Sequence, residues 1–259
     1  MPVALVTGAG ARLGQAMAVH LGQRGFDVAV HFATSDEGAK KTAAAVRQAG
    51  QRAEIFQCDL LDEDATQALV GQVVERLGGP VTVLVNNASI FEYDTVATAT
   101  RESWDRHIGS NLRAPFILTQ AVAAQLPAPL DDENGEPVAQ GLIVNMLDQR
   151  VRKLTPEFMT YTIAKMGLWA LTQTAAQALA PKARVNGIGP GPTLKGGRQS
   201  EDHFAKQRAA TVLQRGADPS GIVAALDYLL TAKAVTGQMI AVDGGQHLAW
   251  QTPDVLGVE

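Results

Sequence analysis

Val3-Ala4-Leu5-Val6-Thr7-Gly8-Ala9-Gly10-Ala11-Arg12-Leu13-Gly14 sets the reading of the whole chain. The first four residues make a short apolar run with β-branched valines, and glycines follow at once. With no charged leader before it, this run is expected to be a strand rather than a signal peptide. The residues from 13 to 24 then carry an Ala- and Leu-bearing helical pattern. A glycine-rich turn between strand and helix lets the backbone come close to a pyrophosphate, and the helix N-terminus offers it unpaired N–H groups. Alone, such a turn is a weak signal. Its weight comes from what surrounds it.

Outward from that turn, short β-branched runs at 3–6, 27–31, 52–57, 81–85, 142–146, 184–188 and 239–242 alternate with Ala-rich helical stretches at 13–24, 37–49, 64–77, 113–125 and 160–180. Buried runs separated by helices predict a parallel sheet covered on both faces. The rhythm fills all 259 residues without a linker or repeat. The expected architecture is therefore a single doubly wound α/β domain of Rossmann type over residues 1–259, with seven parallel strands. A net charge of −4 and the lack of a basic cluster speak against a nucleic-acid surface. Cys58 is the one cysteine, which leaves no disulfide framework and no thiolate metal site; no metal is expected. No apolar stretch approaches the ~20 residues a membrane helix needs, so a cytoplasmic location is the default.

Two segments break the rhythm. Residues 127–140 are rich in Pro and acid and read as an exposed loop. Residues 190–210 open on Pro190-Gly191-Pro192 and read either as a surface loop or, preferably, as a lid over the C-terminal ends of the strands, where open α/β sheets bind ligands.

Five motifs in order and spacing then resemble the short-chain dehydrogenase/reductase family over nearly the whole chain. They are the Thr7-Gly8 turn with Gly14, Asn86-Asn87-Ala88, Tyr161-x-x-x-Lys165, Pro190-Gly191 and Val242-Asp243-Gly244-Gly245. The resemblance implies a dinucleotide held by Gly8, Leu13, Gly14, Asn87, Ala88, Ser89, Pro190 and Gly191, with Asp59 and Leu60 beside the adenine. Asp59 reads equally as a helix cap. Arg12 stands where the family has its middle glycine, and a guanidinium there can pair with phosphates in a forked geometry. The second strand ends at His31-Phe32-Ala33-Thr34-Ser35, without the carboxylate that would accept the ribose hydroxyls of NAD. Arg12, His31, Thr34 and Ser35 are therefore expected to receive the extra phosphate of NADP(H). Asp36 argues the other way unless it caps the following helix.

Tyr161 and Lys165 are four residues apart and share a helix face, where an ammonium favours tyrosinate and lowers the phenol pKa. The resemblance makes Asn111 a water anchor in a proton relay; a helix-kinking role competes. Thirteen residues before the tyrosine the family usually has serine, but this chain has Asp148. An ionised carboxylate would repel the oxyanion formed in ketone reduction. It would instead favour the protonated nitrogen formed when a C=N bond is reduced. Arg12, Asp148, Ser89 and Phe91 together resemble the pteridine reductase branch, including bacterial dihydromonapterin and dihydrofolate reductases. There Phe91 would stack on a flat pterin, with plain core packing as its other reading. The substrate side thus comprises Arg12, Ser89, Phe91, Asp148 and Tyr161. Reduction of a ketone, or NADP(H) binding without turnover, are the competing functions. The small-molecule substrate is the expected partner, and the resemblance implies a homotetramer; the helices at 113–125 and 160–180 suit either subunit packing or the core, and the sequence does not decide whether residues 248–259 close a neighbour's site.

Overall fold

Alternate residues of the strand Val3–Val6 (β1) enter different cores: Val3 and Leu5 pack into one apolar cluster, Ala4 and Val6 into another. A strand with apolar partners on both faces needs no polar side, which is why the run is continuous. The computed structural model describes residues 2–197 and 199–251. After β1 come Asp27–Phe32 (β2), Ala53–Gln57 (β3), Val81–Asn86 (β4), Gly141–Met146 (β5), Ala183–Pro190 (β6) and Met239–Val242 (β7). They form one seven-stranded sheet in the order β3-β2-β1-β4-β5-β6-β7. Every pairing in it is parallel.

Helices Arg12–Gln23 (α1), Asp36–Gln48 (α2) and, later, Pro219–Thr231 (α8) contribute Met17, Val46 and Leu226 to one face. Glu63–Leu77 (α3), Ala114–Gln125 (α5) and Met159–Leu179 (α6) bring Leu69, Leu118 and Ala176 to the other. The doubly wound architecture is therefore as expected, with helices on both faces. The chain builds outward from β1 to β3, then returns to place β4 on the other side of β1. That reversal opens a crevice at the C-terminal ends of β1 and β4, where such sheets take their ligands.

Some elements were not anticipated. Residues 127–140 contain a short antiparallel hairpin, Leu130–Asp131 with Pro137–Val138, around a turn whose amides are held by Asp132. Arg101–Ile108 (α4) is capped at both backbone and side chain by Thr100 and Ser103. It runs through a π-helical segment, Gly109–Arg113, into α5. The stretch after Pro190 contains a helix, Glu201–Ala209 (α7), that buries no side chain. Position 198 of this stretch, and 252–259 of the C-terminal stretch whose reach to a neighbour the sequence leaves open, lie outside the described residues. Among the described residues no helix is long and apolar enough to cross a membrane, and no cluster of His, Cys, Asp or Glu is set to hold a metal.

Candidate active site

The glycine turn is closed by residues from the other side of the crevice. Gly8 adopts φ +63°, open to glycine at little cost. Thr7 Oγ accepts from the backbone N–H groups of Asn87 (2.9 Å) and Ala88 (3.0 Å). The Asn87 side-chain amide donates to the carbonyls of Thr7 (2.8 Å) and Gly8 (3.2 Å). Gly14 packs so close that a Cβ there would collide with the Gly8 carbonyl and the Asn87 amide. The first turn of α1 starts at Arg12 with no side-chain cap from Ala11, which suits an anion. Gly8, Arg12, Leu13, Gly14, Thr34, Ser35, Asn87, Ala88 and Ser89 all line one cleft of about 360 Å³. These residues fit a dinucleotide.

Several expectations need correction here. His31 does not face the cleft: it is 1% exposed, its Nδ1 accepts from Gly8 N–H (3.0 Å), and its Nε2 lies 3.0 Å from the Cys58 carbonyl. Burial lowers its pKa to about 4, so the ring is neutral, with Nε2–H donating to Cys58. It supports the turn from behind and cannot receive a phosphate. Arg12 has a left-handed backbone, φ +53°, that costs a non-glycine residue roughly 1–2 kcal/mol. Its guanidinium donates to the carbonyls of Leu194 (3.0 Å) and Lys195 (2.9 Å), tying the glycine turn to the segment after Pro190. Asp36 lies in the first turn of α2 and pairs with Lys40 at 2.6 Å, so its carboxylate is engaged away from the cleft. Asp59 accepts from Leu61 N–H rather than capping a helix; Asp62 caps α3. Asp59 and Leu60 follow β3 and are not among the residues lining the cleft. Pro190 ends β6, and Gly191 donates to Val242 O at 3.0 Å.

At the centre, Tyr161 and Asp148 meet. The phenol donates to Asp148 Oδ2 at 2.9 Å, while Asp148 Oδ1 accepts from Arg150 N–H at 2.8 Å. Burial raises the Asp148 pKa. The Tyr161 pKa is pushed well above the ordinary phenol value by burial and then by the Asp148 charge. The tyrosinate expected from the neighbouring ammonium is therefore disfavoured: burial first, and then Asp148, keep the proton on the phenol. Lys165 is 2% exposed, donates to Met146 O at 2.7 Å, and has its pKa lowered by burial to about 8. Its ammonium lies 5.6 Å from the Tyr161 ring centroid.

Phe91 meets Tyr161 edge-on, with ring centroids 4.7 Å apart, and stacks on Phe158 at 4.3 Å. The Arg150 guanidinium covers Phe158 at 4.9 Å. Phe91 is 45% exposed, so it is not core packing. Asn111, fully buried in the π-helical segment, uses its side chain to clamp Ile90: Nδ2 donates to Ile90 O (2.8 Å) and Oδ1 accepts from Ile90 N–H (2.9 Å). The side chain is thus spent on the loop carrying Ser89 and Phe91. Phe158, Asp94 and His107 also belong to this site and were missed. The contacts that tie Asp94 and His107 to α6 span 66 and 53 residues, and no motif marks any of the three.

The short chain dehydrogenase family model matches residues 2–205. FolM alternative dihydrofolate reductase 1 from Brucella suis, solved in complex with NADP, superposes with a TM-score of 0.90 at 41% identity, covering 98% of each chain. The angucycline C-6 ketoreductase LanV with bound NADP gives a TM-score of 0.85 at 28% identity, covering 96% of each chain. The 3-oxoacyl-(acyl-carrier-protein) reductase FabG of Staphylococcus epidermidis is 29% identical over 250 residues, spanning 95% of this chain and 98% of its own.

Proposed function

From the premise that the chain belongs to the short-chain dehydrogenase family, we propose that this oxidoreductase uses NADP(H) to reduce a C=N bond of a dihydropterin- or dihydrofolate-type substrate. The observation that carries the reading is the buried Tyr161–Asp148 pair, with a carboxylate 2.9 Å from the phenol oxygen. The likeness to the Brucella protein, whose name states dihydrofolate reduction, supports it.

Gly8, Gly14, Thr34, Ser35 and Asn87 would hold NADPH, which would supply hydride to the substrate carbon. The chain's own residues manage the proton. Tyr161 stays protonated and donates its O–H proton to the substrate nitrogen. The Asp148 carboxylate favours positive charge on that nitrogen, and Tyr161 regains its proton from solvent once product has left. Lys165 keeps a positive charge beside Tyr161 and Asp148 that limits the cost of burying the carboxylate. Phe91, backed by Phe158, offers a flat face for a heterocycle. Thr34 and Ser35, lining the cleft without a facing acid, suit the NADP phosphate better than a bare ribose. Association into a homotetramer is part of the same proposal.

The test follows NADPH oxidation with dihydromonapterin, dihydrobiopterin and dihydrofolate against a panel of ketones. Turnover of a dihydropterin, lost in Asp148→Ala and Tyr161→Phe, is the expected result. Reduction of ketones alone would overturn the substrate class. One observation favours that second reading: burial pushes Asp148 toward its neutral form, which would not repel an alkoxide. Under it, Asp148→Ser reduces ketones at least as fast as wild type.

A further inference from the structure

α6 carries Tyr161 and Lys165, yet its N-cap residue is Phe158, which makes no side-chain cap and sits at φ +56°. The amides of its first turn need acceptors from elsewhere. They find them on Asp94, more than sixty residues earlier. The Asp94 carbonyl accepts from Phe158 N–H (2.8 Å) and Met159 N–H (3.4 Å). Its Oδ1 accepts from Thr160 N–H (3.1 Å), and its Oδ2 from the hydroxyls of Thr160 and Ser103. Asp94 is 2% exposed. Burial alone would raise its pKa, but the hydrogen bonds from Thr160 and Ser103 hold it below the usual carboxylate value. A carboxylate also suits the positive end of a 21-residue helix.

His107 completes a second link. It is fully buried, and its Nε2 accepts from Glu92 N–H at 3.1 Å. That fixes the proton on Nδ1, which donates to Thr160 Oγ at 2.7 Å; the Thr160 hydroxyl in turn donates to Asp94. Glu92 directly follows Phe91. An unbroken run of hydrogen bonds therefore joins the loop bearing Ser89 and Phe91 to the residue before Tyr161.

We propose that Asp94 and His107 are positioning residues that bind the substrate-side loop and the proton-donating helix into one body, setting the placement of Phe91 relative to Tyr161. Neither residue touches the Tyr161 hydroxyl or Asp148. The inference rests on Tyr161 as proton donor and not on the substrate being a pterin.

The test compares Asp94→Ala, Asp94→Asn and His107→Phe, using whichever substrate the wild-type enzyme reduces. Asp94→Ala is expected to lower kcat at least tenfold and to raise the substrate KM, with the KM for NADPH within twofold. Asp94→Asn should recover most of kcat, because its amide oxygen still accepts from Thr160 N–H and its nitrogen can donate to the Thr160 oxygen. His107→Phe should repeat the pattern of Asp94→Ala, and it carries the test if Asp94→Ala does not fold. Hydrogen exchange reads the coupling without any substrate: protection should fall together in residues 89–95 and 159–165. Loss confined to one of these segments overturns the proposal, as does unchanged kcat and substrate KM in folded Asp94→Ala and His107→Phe. If neither pterins nor ketones are turned over, the exchange result still decides this inference while the proposed function fails separately.

Discussion

Burial lowers the Lys165 pKa from 10.5 to about 8, and this gives the site a pH signature. Between those two values the folded protein has released the proton that the unfolded chain still holds. Unfolding therefore takes up a proton, and the contribution of Lys165 to stability rises with pH across that window. Activity moves the opposite way, because the ammonium beside Tyr161 is lost. We expect kcat/KM to fall as pH rises through about 8, and Lys165→Arg, which stays charged, to show no such limb in whatever activity it retains. A pH–rate profile on both enzymes checks this. For His31, replacement by Ala strands the Gly8 N–H and the Cys58 carbonyl. The expected cost is about 1–3 kcal/mol of stability, read from denaturant melts. A several-fold rise in the NADPH KM with kcat held should accompany it. Asp148, Tyr161 and Lys165 meet where their spacing places them, thirteen and four residues apart, whereas Arg12, expected at a cofactor phosphate, holds the carbonyls of Leu194 and Lys195. His31 was placed in the right strand but with the wrong task, since sequence does not say which side of a turn a side chain takes. Asp94 and His107 were invisible, because a hydrogen bond across 66 or 53 residues leaves no trace in spacing.

Two arginines hold the segment after β6. Arg12 grips the carbonyls of Leu194 and Lys195, and Arg208 on α7 grips those of Pro192 (3.0 Å) and Ala217 (2.6 Å). α7 has no fully buried side chain, and Arg208 is what ties it to Pro192 and Ala217. Replacing Arg12 by Ala should speed tryptic cleavage after Lys195 several-fold, with fragments followed by mass spectrometry. An unchanged rate would mean that Arg208 alone suffices. The reading of this stretch as a lid came from its prolines and position. Its helix escaped notice because an amphipathic period records burial, and α7 has none. The sheet strands were readable to within one or two residues because most of them are buried on both faces, which makes their runs largely apolar. The segment around Asn111 was weighed as a kink, and the π-helical turn there is the form it takes.

At the scale of the molecule, Phe116 on α5 and Ile163 and Met166 on α6 stay exposed. Ile108, Leu112, Arg113, Phe116 and Leu171 line a shallow apolar hollow of about 310 Å³. If these helices form a subunit contact, Phe116→Glu should lower the sedimenting mass below that of wild type at equal concentration. Equal masses would remove this face from the tetramer proposal. The order β3-β2-β1-β4-β5-β6-β7 was legible only as a class, since alternation of strands and helices does not itself state where the chain reverses. That reversal has a consequence for synthesis. The glycine motif leaves the ribosome well before β4, because the amide that closes its turn belongs to Asn87, 80 residues behind Thr7. At ordinary translation rates the motif waits on the order of ten seconds for its partner. A nascent fragment that stops short of β4 holds every glycine of the nucleotide turn, with His31 behind it, but lacks the Asn87 amide that closes it.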